Sequence, residues 1–507
     1  MASPMVVLST LAFASIAHAA EGELVARPTG STAANYGHLE YVPPGYAADG
    51  AKHPVLVFLH GSGESGDGIT DLEAKMKAHG PAKLIAQGST YFADAGMLVF
   101  VPQSPEWWNA DGIHAFLDYL ATNFRIDPRR VYLTGLSMGG GGTWSYASSH
   151  PHRATAILPI CGAAGPGDGM PLVDVPTWAF HAWGDGTVPS SNSIGWADHI
   201  ADATAGVDVP PVLTDYPHVG GDVNQAAAGD MTATFDGTAF AWAEGTAAVG
   251  ESNLRLTLYP DGSHDSWTRT YDQPAIWDWF IAQRKPAALD DERYIVDNLD
   301  AGASFTGEWA RSQAGDGYYW WDEHEIAAGP DISASFTAAL PPARYEVYVS
   351  WAAGPDRGSV DASIDGATTP VDVVTLDQTQ GGGFTSIGSF DFADGTATVT
   401  LRPTDGTAGV VVADAVGFVY RDELPAEGTS SGGAADDSGG GDGGGEVGGD
   451  PQGTEGGGTT AAGGSDSSGS AGASEGEGGC ACGVQGRDRG GLAAWLMVAI
   501  AGLRRRR

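Results

Sequence analysis

Short apolar runs alternate with amphipathic stretches through the first half of the chain, and this alternation limits the fold more than any other feature. Strands that are apolar on both faces occur in parallel sheets with helices on either side. Between two such runs, apolar residues recur at the spacing of one helical face: Ile113, Leu117, Leu120 and Phe124. The pattern predicts a doubly wound α/β domain at residues 20–288. Its predicted strands include residues 54–59, 97–101, 131–134, 156–160, 177–182 and 254–259.

A Gly-x-Ser-x-Gly pattern at residues 135–139 places Ser137 between the predicted strand at 131–134 and a predicted helix. The pattern alone means little, because it recurs in a glycine-rich segment at residues 428–432 and 472–476. Only Ser137 has a strand before it and a helix after it. Flanking glycines allow a strained elbow that projects the hydroxyl at the carboxyl edge of the sheet. The context predicts that Ser137 is a nucleophile.

A serine hydroxyl becomes a good nucleophile only when a base takes its proton. In folds with such an elbow, an acid and then a histidine follow the serine along the chain. Asp185 follows the predicted strand at 177–182, and His264 follows the strand at 254–259, so both loops lie at the same sheet edge. We predict His264 as general base and acid, oriented by Asp185. His181 is an alternative base. The alternatives to Asp185, if a strand is misplaced, are Asp202, Asp208 and Asp215.

Backbone N–H groups must stabilise the oxyanion that forms when an acyl group is attacked. One donor is predicted at Met138, the residue after the nucleophile. The second is expected from the loop at residues 60–66, where glycines allow a close approach to substrate, and Ser62 or Gly63 is the candidate. His60 is interpreted as an anchor of that loop.

Two features around this predicted site, a pair of tryptophans and an insertion, have two interpretations each. Trp267 and Trp108 could line the substrate pocket or pack in the core. An insertion at about residues 208–250 contains a hairpin around Asp236-Gly237 and could wall the pocket or lie at its periphery. Cys161 is interpreted as a small buried hydrophobe.

Several motifs together resemble one family. Residues 124–140 read FRIDPRRVYLTGLSMGG, residues 158–162 read LPICG, and residues 59–63 read LHGSG; a GD pair and a VP pair lie within residues 184–189. This set resembles the secreted esterases related to polyhydroxyalkanoate depolymerases and feruloyl esterases, over about residues 37–284. The resemblance implies an α/β-hydrolase that cleaves carboxylic esters through an acyl-enzyme, without a cofactor or metal. Some relatives are described as predicted peptidases, so amide cleavage stays open.

Alternating β-branched strands after residue 286 predict a β-sandwich at residues 292–421. Four of its segments carry a second resemblance: residues 297–300, 306–309, 344–349 and 412–416. They resemble the golvesin and xanthan-lyase C-terminal-like domain, which implies binding of carbohydrate or matrix polymer. The aromatic residues from Tyr318 to Trp321 could stack on sugar rings or face the core. An adhesin with an inactive hydrolase fold is therefore a second functional hypothesis.

The N-terminal end predicts export. An apolar stretch at residues 6–14 precedes Ala17-His18-Ala19, which predicts a signal peptide at residues 1–19. No Lys or Arg precedes the apolar stretch, so a buried N-terminal helix is the alternative.

The C-terminal end predicts a surface tether. Of the 52 residues at 428–479, 22 are Gly, 9 are acidic and none is basic, which predicts a disordered linker within residues 422–479. Cys480 and Cys482, an apolar run and four arginines follow, and residues 480–507 resemble myxobacterial C-terminal sorting signals. The resemblance implies processing near the cysteines and anchoring at the cell surface or outer membrane; a short membrane anchor is the alternative.

The charge excludes one class of partner. The chain has 63 acidic and 25 basic side chains, a net charge of −38. Such a surface repels phosphate backbones, so no nucleic-acid partner is expected. With three cysteines in all, no thiol cluster is available for a zinc or iron–sulfur site. The predicted partners are an ester substrate, which could be linked to polysaccharide, a carbohydrate or matrix polymer, and the membrane or cell surface to which the C-terminal segment would tether the chain.

Overall fold

The computed structural model describes residues 20–205, 216, 229–245, 252–314 and 317–424. The predicted signal peptide, the sorting segment at 480–507 and nearly all of the predicted linker lie outside the described residues. Within the described ranges, no helix is long and apolar enough to cross a membrane.

A single sheet organises the first domain. In the described part of the chain its strands are β1 (Leu24–Arg27), β2 (Gly37–Tyr41), β3 (His53–Leu59), β4 (Leu98–Gln103), β5 (Ile126–Leu136), β6 (Ala156–Ile160), β7 (Thr177–Ala182), β8 (Met231–Phe235), β9 (Phe240–Glu244) and β10 (Leu254–Tyr259). Their order is β1-β2-β4-β3-β5-β6-β7-β10-β8-β9. The neighbours from β4 through β10 pair in parallel, and the edge strands pair antiparallel. The predicted α/β-hydrolase sheet is confirmed.

Helices cover both faces of this sheet, as its apolar strands require. Those of the described residues are α1 (Tyr46–Asp49), α2 (Leu72–Met76), α3 (Gly80–Ala86), α4 (Tyr91–Asp94), α5 (Ala110–Asn123), α6 (Met138–Ser149), α7 (Ser191–Ala205), α8 (Trp267–Tyr271) and α9 (Pro274–Ala282). One core cluster contains Phe116 of α5, Trp144 of α6 and Trp196 of α7. The other contains Phe92 of α4 and Trp277 of α9.

Glycines bring the start of α6 against β3. A methyl group on Gly139 would overlap the backbone carbonyl oxygen of Leu59, and backbone atoms cannot move aside as a flexible side chain can. We therefore expect Gly139→Ala to lower the free energy of unfolding by about 3 kcal/mol. Urea unfolding followed by tryptophan fluorescence measures this loss. Gly165→Ala is the matched control, since a methyl group there meets no atom within 4 Å; equal stability of the two variants would contradict the prediction.

The predicted hairpin extends the sheet and does not wall the site. β8 pairs with β10, and β9 pairs with β8 from Phe240 opposite Phe235. Phe235 lies beside Leu254, the first residue of β10, so the turn at Asp236 is at the amino edge of the parallel strands. Most of the remaining insertion, residues 206–215, 217–228 and 246–251, lies outside the described residues.

The second domain is all β, as predicted. Its strands among the described residues are β11 (Ile295–Asp297), β12 (Ala303–Thr306), β13 (Ala310–Ser312), β14 (Glu323–Ala327), β15 (Ser333–Ala339), β16 (Ala343–Ser350), β17 (Ser359–Asp365), β18 (Val374–Asp377), β19 (Thr385–Phe392), β20 (Thr396–Pro403), β21 (Val410–Ala413) and β22 (Ala415–Asp422). They form sheets in the orders β11-β22-β16-β19, β12-β15-β20-β17-β18 and β13-β14-β21. Alternate apolar residues such as Phe336, Val347 and Val399 meet in one core.

The second domain docks beside the amino ends of the parallel strands. Lys52, directly before β3, pairs with Asp300 at 2.9 Å, and Arg129 in the first half of β5 pairs with Glu292 at 2.7 Å. Ser137 follows the opposite, carboxyl end of β5. The β domain therefore packs away from the edge where the candidate site lies.

The aromatic residues that could have stacked on sugar rings are partly used by this interface. Trp321 is buried and its indole N–H donates to Asp118 of α5 at 2.7 Å. The guanidinium of Arg153 lies over the rings of Tyr318 and Trp321, at 4.9 and 4.7 Å from their centroids. Trp321 is thus closed to an external sugar, and of the two interpretations of this aromatic run it follows the one in which the ring faces the core.

Candidate active site

Ser137 occupies a strained elbow between β5 and α6. Its φ of 53° and ψ of −115° lie outside the regions that non-glycine residues usually adopt. Backbone hydrogen bonds hold it there: its N–H donates to Ile160 at 2.9 Å, and its carbonyl accepts from Gly141 at 3.0 Å and Ala163 at 2.9 Å. The surrounding structure thereby maintains a conformation that the chain would not adopt locally.

Three side chains from separate loops form one hydrogen-bonded chain at this edge. His264 Nε2 lies 2.7 Å from Ser137 Oγ, and His264 Nδ1 lies 2.7 Å from Asp185 Oδ2. An ionised carboxylate only accepts hydrogen bonds, so Nδ1 carries the imidazole proton and Nε2 offers its lone pair to the hydroxyl. The structure brings together the three residues predicted from the sequence, in the orientation that proton removal from serine requires.

Asp185 is kept ionised by its surroundings. Burial raises the pKa of its carboxyl, but hydrogen bonds from His181, His264 and the backbone outweigh burial and leave the pKa well below its ordinary value. The backbone donors are Thr187 N–H at 2.8 Å and Val188 N–H at 3.0 Å, both to Oδ1. Asp185 can therefore hold its negative charge beside an imidazolium.

His181, the alternative base, supports the acid loop instead. It is fully buried, its Nδ1 lies 2.8 Å from Ser193 Oγ, and its Nε2 lies 3.0 Å from the Val188 carbonyl oxygen. Because a carbonyl only accepts, Nε2 carries the proton, and it also lies 3.4 Å from Asp185 Oδ2. Of the alternative acids, Asp202 is exposed on α7 and Asp208 and Asp215 lie outside the described residues.

The predicted oxyanion donors lie in neighbouring segments. Met138 is the first residue of α6, and Ser62 is the first residue of a short 3₁₀ helix, Ser62–Glu64. First-turn N–H groups have no partner within their own helix. A methyl group on Gly61 would lie 2.6 Å from Leu136 Cδ1, so this turn packs against the residue before the nucleophile. Their roles as donors to substrate stay a prediction.

His60 and Trp108 support the turn from behind. His60 is buried; its Nε2 accepts from Ser104 N–H at 2.9 Å, so its Nδ1 donates to the Gly61 carbonyl oxygen at 2.7 Å. Burial lowers the pKa of His60 to about 4, which keeps the ring neutral. Trp108, only 7% exposed, donates its indole N–H to the His60 carbonyl at 3.0 Å. Of the two interpretations of Trp108, its burial agrees with packing in the core, and a contact with substrate stays a prediction.

Trp267 contacts the general base, His264. His79 and Glu64, which the sequence did not indicate as part of the site, lie on the other side of Trp267. The half-buried ring of Trp267 meets His264 edge-on, with centroids 5.4 Å apart, and its indole N–H donates to His79 Nδ1 at 3.2 Å. His79 Nε2 in turn lies 3.6 Å from Glu64 Oε1. The sequence His79-Gly80-Pro81 is typical of the start of a helix, since proline is favoured in the first turn. It does not indicate that His79 contacts the site.

One set of potential metal-binding atoms occurs among the described residues, and it overlaps this site. Atoms of Cys161, Asp185 and His264 lie within 4.8 Å of one another. Burial raises the pKa of the Cys161 thiol to about 12, so the sulfur stays protonated. The carboxylate already accepts N–H groups on both oxygens. These donors suit proton transfer to and from Ser137 better than they suit a cation.

Comparison with known proteins adds four likenesses. Residues 294–420 match the family model of the Golvesin C-terminal domain. A 2-hydroxy-6-oxononadienedioate/2-hydroxy-6-oxononatrienedioate hydrolase of Paraburkholderia phymatum is 29% identical over 136 residues, 25% of this chain and 43% of that protein. A solved thermostable esterase is 24% identical over 52% of this chain and 63% of its own, with a TM-score of 0.37. An acetyl xylan esterase from Aspergillus awamori is 15% identical over 51% of this chain and 99% of its own, with a TM-score of 0.34.

The chain thus spans less than two thirds of the curated hydrolase and of the thermostable esterase. Strand order, the elbow after β5 and the loops after β7 and β10 define the first domain independently of those likenesses. The described residues combine an α/β-hydrolase fold with an all-β domain that matches the Golvesin C-terminal family.

Proposed function

We propose that the chain is a serine hydrolase that cleaves carboxylic esters through an acyl-enzyme on Ser137. The observation that carries the proposal is the continuous chain of 2.7 Å contacts from Ser137 through His264 to Asp185. A hydroxyl, an imidazole with a free lone pair and a buried carboxylate are the parts that acyl transfer needs.

The mechanism follows from the positions of these groups. His264 Nε2 takes the hydroxyl proton as Ser137 Oγ attacks the ester carbonyl, and Asp185 stabilises the resulting imidazolium. The N–H groups of Met138 and of Ser62 or Gly63 would donate hydrogen bonds to the oxyanion. The imidazolium then protonates the leaving alcohol. Water, deprotonated by the same imidazole, releases the acid and restores the serine.

The substrate class is narrowed by the surroundings of the serine. Ser62 and Gly63, the candidate oxyanion donors, are exposed. An exposed turn beside the elbow suits an ester that projects from a larger molecule. We therefore favour feruloyl or acetyl esters on polysaccharide, with hydroxyalkanoate polyesters as the other ester class. We also propose that the protein is exported and acts at the cell surface, where its predicted tether would hold it.

The decisive assay pairs turnover with labelling of the nucleophile. Purified full-length protein is assayed on p-nitrophenyl acetate, methyl ferulate, acetylated xylan, a hydroxybutyrate oligomer and a peptide anilide. We expect ester turnover and covalent labelling of Ser137 by a fluorophosphonate, located by peptide mass spectrometry. Turnover of the anilide without ester cleavage would favour a peptidase, and no turnover with no labelling would favour a binding protein.

A further inference from the structure

A groove between the two domains is lined by cationic side chains and by aromatic rings. Its volume is about 580 Å³, it is open to solvent, and it lies away from Ser137 on the side where the β domain docks. Its polar and aromatic lining includes Arg129, Arg153, Lys285, Glu292, Tyr318, Tyr319, Trp320 and Phe384.

Arg153 and Lys285 form no ion pair with a carboxylate of the described residues, although Asp118 and Asp322 act on Arg153 from a greater distance. Arg153 is 3% exposed and donates to the Trp320 carbonyl oxygen and the Tyr318 hydroxyl, both neutral groups. Lys285 donates its ammonium to the His152 carbonyl oxygen, also neutral. Burial and the neighbouring Arg153 charge lower the pKa of Lys285 to about 7. In a chain of net charge −38, two adjacent cations that are not in an ion pair are unexpected.

The carboxylate of Glu292, which also lines the groove, already accepts hydrogen bonds on both of its oxygens. Its Oε2 accepts from Arg129 at 2.7 Å and its Oε1 accepts from Ala288 N–H at 2.7 Å. Both carboxylate oxygens thus serve the link between the domains. Among the described residues that line the groove, Glu292 is the only carboxylate, and the charge that acts on Lys285 there is the positive charge of Arg153.

Aromatic side chains also line this groove. Tyr319 and Phe384 meet edge to face with centroids 5.2 Å apart. Trp320, the next residue, is held at a φ of 60°, which a bulky non-glycine residue adopts only when the surroundings impose it. Aromatic faces of this kind pack against the rings of sugars or of aromatic molecules. The groove therefore pairs a positive end with a ring-binding wall.

We propose that this groove binds a carboxylate carried on a ring, with the carboxylate at Lys285, the charge of Arg153 behind it, and the ring against Tyr319 and Phe384. A uronate sugar at the end of an acidic oligosaccharide has this chemistry, and so does an aromatic acid. The site is independent of the hydrolase proposal, because it lies at the other edge of the sheet and uses none of the same residues.

The test is calorimetric titration of the full chain carrying Ser137→Ala, which prevents turnover of any ester. The probes are glucuronic acid linked to xylobiose, benzoate, and unmodified xylobiose. We expect at least one carboxylate to bind at least tenfold more tightly than unmodified xylobiose, and the better one identifies the ring as sugar or aromatic. Absence of binding by both carboxylates at 10 mM, or equal binding of the neutral sugar, would overturn the proposal.

Variants at Lys285 separate a binding role from a structural one. Lys285→Gln should weaken the carboxylate about tenfold, since it removes a charge-assisted contact, whereas Lys285→Arg should retain binding. The melting temperature of Lys285→Gln should not fall, because the lost cation has no acidic partner. Phe384→Ala provides a second test through the aromatic wall. Unchanged affinity in both Lys285→Gln and Phe384→Ala would refute the site.

Discussion

Replacing Ser137 with alanine is expected to lower kcat for ester hydrolysis by about 10⁵-fold, with the fold unchanged. The variant removes the atom that forms the acyl-enzyme, while His264 and Asp185 keep their own contact. The residual rate would come from substrate binding and the oxyanion donors alone. Initial rates on p-nitrophenyl acetate, with circular dichroism to confirm folding, measure the effect.

Ser145→Ala is the matched control for this loss. Ser145 is exposed on the same helix, two turns beyond the nucleophile, and its change should leave kcat within a factor of two. Equal rates for the wild type and Ser137→Ala would remove the serine mechanism and favour the binding-protein hypothesis. Loss of activity in Ser145→Ala would instead indicate damage to α6.

The fold and the meeting of Ser137, Asp185 and His264 could be predicted because each depends on a local pattern in the chain. A β-strand that is apolar on both faces must be covered by helices, and the loops after parallel strands meet at one edge. Once three strands were assigned, the positions of the residues that follow them were fixed by topology alone. The predicted bounds were less accurate. β5 begins at Ile126, five residues before the predicted start, because the strand includes Asp127 to Arg130, three charged residues and a proline that give no apolar strand signal.

Contacts between distant segments could not be predicted from the sequence. Tryptophan side chains line many pockets, so the sequence left open whether Trp108 and Trp321 do so. The structure shows that both rings are buried and that their indole N–H groups donate to His60 and Asp118. Nothing near Lys285 in the sequence indicates that Arg153 lies beside it, since the two belong to different elements. Alternation within a strand says which residues share a face, but a domain interface depends on which face meets which partner.

Asp185→Asn is expected to lower kcat by about 10⁴-fold at neutral pH. The amide oxygen can keep the bonds from Thr187 and Val188, so the loop should hold its shape. The amide NH₂, however, is a donor, and facing His264 Nδ1 it favours the tautomer with the proton on Nε2. That nitrogen then cannot accept the proton of Ser137. Rates on p-nitrophenyl acetate measure the loss, and fluorophosphonate labelling of Ser137 should slow in parallel.

The same substitution has a second signature in the acid stability of the protein. The folded-state pKa of Asp185 is depressed, so its ionised form stabilises the fold above its unfolded pKa of about 3.9, and this contribution is lost as pH falls toward the lower folded value. Wild type should therefore lose more stability than Asp185→Asn between pH 5 and pH 2, as urea unfolding would show. Asp202→Asn changes an exposed residue of α7 and should keep both activity and the wild-type pH response. If Asp202→Asn were inactive and Asp185→Asn active, the acid would have been misassigned, and His264 would need another partner.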